Sequence, residues 1–202
     1  CDLAKAPAVS WLSAMGQTGF TAYAGLLPVG RIAQGETVFV TGAGGAVGSM
    51  AGQFARLLGA GRVIGSAGGA EKCAWLRDEC GFDHVIDYRN GDVRAELPLA
   101  APDGIDLFFD NVGGWQMVAA FHNMKIHGRI SMCGAVSNFG SADQPSLNEL
   151  IEVVLRRITI QGFIVRDYEQ LRPVFEERVS GWLASGELVD RATIYEGIEN
   201  AG

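Results

Sequence analysis

The sequence has no apolar run approaching the roughly 18 residues that a bilayer-spanning helix needs, and its first residues lack the basic stretch and apolar core of a secretory signal. The expectation is therefore a soluble, cytoplasmic protein with neither membrane span nor leader. Basic residues are outnumbered, with 16 Lys and Arg against 23 Asp and Glu and a formal charge of -7. A nucleic-acid partner needs a basic face, so this balance argues against one while leaving room for a single small phosphorylated ligand. Cysteine is scarce. Cys1, Cys73, Cys80 and Cys133 show no zinc-ligand spacing, and Cys73 and Cys80, on one expected helix, read as packed thiols in a reducing compartment. His84, His122 and His127 form neither a triad nor a metal pattern. Asp103, Asp106 and Asp110 alternate with apolar residues near strand ends and receive no acid–base role. Internal repeats, low-complexity tracts and an interdomain linker are also missing.

Glycine and apolar residues are plentiful instead: 28 glycines and 48% hydrophobic residues in 202, enough for the core of one large domain. The glycines gather in Thr37-Val38-Phe39-Val40-Thr41-Gly42-Ala43-Gly44-Gly45-Ala46-Val47-Gly48-Ser49-Met50. The β-branched run Val38 to Val40 suits a strand buried on both faces. From Ala46 onward, Val47, Met50, Ala51, Phe54, Leu57 and Leu58 recur at helical spacing, with Gly59 as the stop. Strand, glycine turn and helix in this order place backbone N–H groups and a helix N-terminus toward an anion. The turn reads Ala43-x-Gly45-x-x-Gly48, so alanine stands where a dinucleotide fingerprint usually has its first glycine. Gly45 lets a pyrophosphate approach and Gly48 lets the helix pack on the strand. A chance glycine cluster in a surface loop is the plain alternative; the flanking elements argue against it.

Strands and helices alternate through the rest of the chain. Residues 1–36 read as helical, broken at Gly16 to Gly19, with Pro28, Gly30 and Gly35 leading into the first strand. Further strands are expected at Arg62 to Ser66, His84 to Asp87, Gly104 to Asp110, Gly128 to Cys133 and Ile158 to Val165. Helices are expected at Ala70 to Glu79, Trp115 to Met124, Leu147 to Arg156 and Tyr168 to Ala184, with a short helix or loop at 91–99. A polar loop runs to about Ser146, and Leu188 to Glu196 reads as a last strand or extended segment. Strands separated by helices of about 10 residues predict βαβ units, hence an α/β fold with a doubly wound parallel sheet of Rossmann type.

A site for NAD usually carries an acid at the end of the second strand, bonded to the ribose 2′-hydroxyl. Here the segment is Gly65-Ser66-Ala67-Gly68-Gly69-Ala70-Glu71-Lys72, small and without an acid until Glu71, which a helix should point elsewhere. Lys72 and free N–H groups would hold a 2′-phosphate that an acid would repel, so NADP is expected over NAD. Tyr88 and Arg89, after the third strand, are placed to flank the same phosphate.

These segments, together with Gly19-Phe20-Thr21-Ala22-Tyr23, Phe109-Asp110-Asn111-Val112-Gly113-Gly114, Cys133-Gly134-Ala135-Val136-Ser137 and Gln161-Gly162-Phe163-Ile164-Val165, resemble the zinc-independent medium-chain dehydrogenases/reductases. Within them the resemblance is to the NADP-dependent prostaglandin reductase and curcumin reductase group. It implies reduction of the carbon–carbon double bond of an α,β-unsaturated ketone or aldehyde. By the same resemblance Gly45, Ala46, Val47 and Gly48 form the pyrophosphate turn. Lys72 and Tyr88 match the 2′-phosphate contacts, Ala67 and Gly68 are among the cofactor-binding residues, and Asn111 lies near ribose and diphosphate. Cys133, Gly134, Ala135, Val136 and Phe139, with Phe163, Ile164 and Val165, wrap the nicotinamide end. No residue is assigned to catalysis and none to metal. The resemblance also implies a homodimer that pairs edge strands, for which Ile158 to Val165 is the expected strand.

The sequence departs from the group in three places. Phe139 stands where a tyrosine is usual, followed by Gly140 in place of asparagine, which removes a phenol able to stabilise an oxyanion. Gln17-Thr18 replaces Met-Pro before Gly19. Residues 1–36 then read as a helical connection from an absent catalytic domain and 37–202 as the NADP-binding domain, so binding is expected without turnover. A quinone reductase or zinc alcohol dehydrogenase of the same superfamily and a non-catalytic NADP-sensing module remain the alternatives.

Overall fold

The computed structural model describes residues 2–135, 147–192 and 197, with backbone alone at 147 and 148. Six strands form one sheet: β1 (Thr37–Val40), β2 (Arg62–Ala67), β3 (His84–Asp87), β4 (Ile105–Asp110), β5 (Met124–Met132) and β6 (Thr159–Gly162). Their order is β3-β2-β1-β4-β5-β6 and every pairing is parallel. Helices α1 (Gln17–Ala24), α2 (Ala46–Leu57), α3 (Ala70–Asp78), α4 (Val93–Ala100), α5 (Gly114–Phe121), α6 (Ile151–Arg156) and α7 (Arg172–Ser185) cover it. The doubly wound sheet is as expected from the alternation of elements.

Residue alternation along the central strands divides the core in two. Val38, Val40, Leu107 and Phe109 meet the helical face built from α1, α2, α3 and α7, whereas Phe39, Ile105 and Phe108 meet the face built from α4 and α5. Phe39 and Phe108 stack across β1 and β4 with ring centroids 5.2 Å apart. On the first face an aromatic chain ties the N-terminal segment to the rest. Phe175 of α7 lies 5.1 Å from Phe20 and 5.4 Å from Tyr23 of α1, and Phe54 of α2 lies 5.5 Å from Trp182. Residues 2–36 thus contribute to this core through α1 and the π-helical turn Gly25–Val29 that follows it.

Several boundaries differ from those read in the sequence. α5 ends at Phe121, and Met124 already begins β5, because the pairing jumps from Ile105 opposite Met124 to Leu107 opposite Arg129. The chain bulges between them, with His127 at φ 64°, which hides the strand start from a period-2 pattern. β6 stops at Gly162, so Phe163 to Val165 lie beyond the sheet. Val165–Leu171 is a 3-10 turn, and regular helix begins at Arg172 with Pro173 in its first turn, where a missing N–H costs nothing. Residues 91–99 resolve as helix α4, capped by Asp92, whose carboxylate accepts from Arg94 N. Residues 188–192 form no strand; the remainder of the expected last strand, 193–196, lies outside the described residues.

Candidate dinucleotide site

β1 and β4 are neighbours in the sheet, but their following connections leave in opposite directions, and the crevice at their carboxyl ends is where such sheets bind ligands. After Val40 the chain turns through Gly42, whose φ of 59° suits glycine. Ala43 N donates to Ser66 O at 2.9 Å, tying the turn to β2, and Gly45 N donates to Gly42 O at 3.0 Å. Gly45 then caps α2 without a side chain, and the first helical bond runs from Ser49 N to Gly45 O at 2.9 Å. The N–H groups of Ala46, Val47 and Gly48 are therefore left for an incoming acceptor. A Cβ on Gly48 would lie 2.2 Å from Gly42 O and 2.8 Å from Ala43 Cα, so the helix sits on the turn only because that residue is glycine. A Cβ on Gly45 would meet nothing nearer than Gly42 O at 3.3 Å; the volume it would fill belongs to the cleft.

That cleft, of about 340 Å³, is lined by Gly42, Gly44, Gly45, Val47, Gly48, Ala67, Gly68, Lys72, Tyr88, Arg89, Asn111 and Val112. The stem of Lys72 passes over Gly44, its Cδ 3.1 Å from where a Cβ would stand. Tyr88 Oη and Arg89 Nε each come within 2.8 Å of the corresponding point above Gly68. A hydroxyl and two cations thus line the cleft at the end of β2, with glycine at 68 making room for Tyr88 and Arg89 and glycine at 44 for Lys72. The nearby acid is Asp87, at the end of β3. Its carboxylate accepts from Gly69 N at 2.9 Å, Arg89 N at 3.1 Å and Asn90 Nδ2 at 2.8 Å. Those bonds, Gly69's above all, hold its pKa below the ordinary carboxylate value. Its charge is turned to the loop's own amides and braces the segment under Lys72.

On the other side of the switch point, Asn111 Nδ2 donates to Thr41 O at 2.7 Å and Asn111 N to Thr41 Oγ1 at 3.0 Å. Thr41 Oγ1 donates in turn to Asp110 Oδ1 at 2.6 Å, an oxygen that also accepts from Val112 N and Gly113 N at 2.9 Å. Asp110 is fully buried, its Oδ2 has no hydrogen-bond partner among the described residues, and burial pushes its pKa up. Its backbone oxygen accepts from Cys133 N at 2.8 Å and Gly134 N at 3.1 Å, which joins the ends of β1, β4 and β5 in one knot.

A second hollow of about 450 Å³ opens beside this knot, lined by Met132, Cys133, Gly134, Ala135, Gly162, Phe163, Ile164 and Asp167. The Cys133 thiol is pushed up to about 11, by burial first and then by Asp110, which favours its neutral form.

The residues expected from the sequence are therefore largely brought together: Gly45, Val47, Gly48, Ala67, Gly68, Lys72, Tyr88 and Asn111 in the first cleft, Cys133, Gly134, Ala135, Phe163 and Ile164 in the second. Ala46 offers its backbone N–H. Val165 is buried in the core and lines neither hollow. Val136 and Phe139 lie outside the described residues. Sequence reasoning missed Thr41, Gly42, Gly44 and Val112 and left Asp110 without a role. Only the positive φ of Gly42 follows from a local rule; the lock between Thr41 and Asp110 spans 69 positions. Among the described residues no group of three or more His, Cys, Asp or Glu side chains is arranged to hold a metal ion.

Sheet order, glycine turn and switch-point cleft are those of a dinucleotide-binding dehydrogenase domain, and the chain belongs to the zinc-binding dehydrogenase family, which matches it over residues 46–180. It is 40% identical over 196 residues to (+)-pulegone reductase of Mentha piperita, covering 96% of this chain and 57% of that protein. To the NADPH-dependent curcumin reductase of Escherichia coli strain K12 it is 39% identical over 199 residues, covering 95% of this chain and 57% of that protein. The crystal structure of CurA from Vibrio vulnificus in complex with NADPH superposes with a TM-score of 0.89 at 39% identity, over 98% of this chain and 60% of that one. The chain thus spans less than two thirds of the length of these relatives.

Proposed function

We propose that this chain is the NADP-binding part of an NADPH-dependent oxidoreductase that reduces the carbon–carbon double bond of α,β-unsaturated ketones or aldehydes. The observation that carries the reading is that Tyr88 and Arg89 stand over Gly68 and Lys72 over Gly44 in one cleft, at the strand end where an NAD site would hold an acid. Pulegone and curcumin reductases among the relatives support the substrate class. In this reading the amides of Ala46, Val47 and Gly48 bind the diphosphate, and Lys72 with Arg89 bind the 2′-phosphate. Asn111, held by Thr41, orients the adjoining ribose. Cys133 to Ala135 and Phe163 with Ile164 wall the nicotinamide end and exclude water from it. NADPH, when bound, supplies a hydride for the substrate's β-carbon. Within this reading residues 1–36 are the helical connection and 37–202 the cofactor domain of a cytoplasmic enzyme.

We also propose that two copies pair through β6. Among the described residues one edge of that strand is unpaired, its four residues are exposed, and Ile160, Ile151, Val154, Leu155 and Ile164 add exposed apolar surface near it.

Titration calorimetry with NADPH and NADH tests the cofactor, with tighter binding of NADPH expected; equal affinity overturns the reading. Loss of NADPH absorbance in the presence of a small enone, measured on the full-length polypeptide, tests the reaction.

A further inference from the structure

Residues 188–191 pack back onto α2 and α3, beside the cleft. Leu188 is buried, and Val189 pairs through both backbone groups with the buried amide of Gln53 on α2. Gln53 Nε2 donates to Val189 O at 3.0 Å and Val189 N donates to Gln53 Oε1 at 2.8 Å. Asp190 Oδ2 accepts from Ser13 Oγ at 2.8 Å. These bonds deliver Arg191 to the outer face of α3. Its guanidinium lies 5.7 Å from the centroid of the Trp75 ring, and Nη2 is 3.7 Å from Glu71 Oε1. A hollow of about 270 Å³, lined by Gly44, Glu71, Lys72, Trp75 and Arg191, shares Gly44 and Lys72 with the dinucleotide cleft.

The charge pattern matters because Glu71 is the immediate neighbour of Lys72, and its side chain is 89% exposed. Left alone, that carboxylate would stand within a Debye length of a phosphate held by Lys72 and oppose it. We infer that Arg191 is a specificity-determining residue of the dinucleotide site: it neutralises Glu71 and adds a cation to the wall that receives the ribose 2′-phosphate. The inference rests on the reading of the cleft proposed above. The Trp75 ring, at 5.7 Å from the guanidinium, favours its place on this face through a cation–π contact. Being more than half exposed, Arg191 acts through a modest, salt-sensitive field.

The test is calorimetry of the wild type and variants with NADPH, NADH, adenosine 2′,5′-bisphosphate and AMP. Arg191→Ala is expected to weaken NADPH and the bisphosphate about fivefold while leaving NADH and AMP within about twofold. Arg191→Lys should keep most of the preference, and Glu71→Gln placed in the Arg191→Ala background should restore much of it. A loss shared equally by all four ligands reduces Arg191 to a structural residue and overturns the inference, as does a preference untouched by Arg191→Ala. A wild type that binds NADPH no better than NADH overturns the reading of the cleft itself, whatever the variants do.

Discussion

Lys72 and Asp110 show how neighbouring residue types are put to opposite uses at one site. Lys72 is a solvated cation whose stem is laid along Gly44, where its charge is free for a ligand. Lys72→Ala should weaken NADPH about tenfold and NADH less than about twofold, read by calorimetry; parallel losses would mean that the ammonium group does not meet the 2′-phosphate. Asp110 is a buried acid that serves the fold. Because its folded pKa is raised, the native state holds the proton more tightly than the unfolded chain. Stability from this group is therefore intact below the ordinary carboxylate value of about 3.9 and falls as pH climbs from there through the raised value. Asp110→Asn keeps an acceptor for Thr41, Val112 and Gly113 while removing the titration. Melting curves from acid to mildly alkaline pH should show the wild type losing ground to this variant as pH rises, and a difference constant across that range would refute the assignment.

At the scale of elements, the glycine turn works because three segments meet on it. β1 brings the chain to the switch point, α2 packs on the turn through Gly48, and the Ala67–Gly69 loop is pinned by Asp87 from β3. α1 and α7 close the same face through Phe20, Tyr23 and Phe175. Phe175 is fully buried, and Phe175→Ala should cost about 3–5 kcal/mol in denaturant unfolding, since the cavity would open among rings with little freedom to collapse. A loss below about 1 kcal/mol would show that α1 and α7 are held by other contacts. These elements also explain which parts of the fold could be read in advance. The strands with β-branched or aromatic runs and the helices with period 3.6 stood out locally. The start of β5 did not, because its bulge at 125–128 depends on pairing with β4, and the end of β6 at Gly162 depends on where β5 stops supporting it.

For the whole molecule, a parallel sheet with helices on both faces leaves its edges as the surfaces open to pairing. β3 ends one edge and β6 the other, and the apolar exposure gathers at β6 and α6. Light scattering should report a dimer, and Ile160→Asp should shift it toward monomer by placing a charge on the exposed edge. A monomeric wild type would remove the proposal. The formal charge of -7 makes local placement of cations more important for an anionic ligand, since the overall field is unfavourable. Affinity for NADPH should accordingly depend on Lys72, Arg89 and Arg191 in their small patch.

What the sequence determined by itself is the set of local rules: apolar runs that must be buried as strands, a turn whose glycines admit a phosphate, and an absent acid where the 2′-hydroxyl would bind. Each follows from a residue and its near neighbours. Tertiary structure decided the rest. It set Thr41 against Asp110, turned Val165 inward and carried Arg191 to Trp75 and Glu71, because those contacts join positions far apart in the chain and exist only once the sheet has set its strand order.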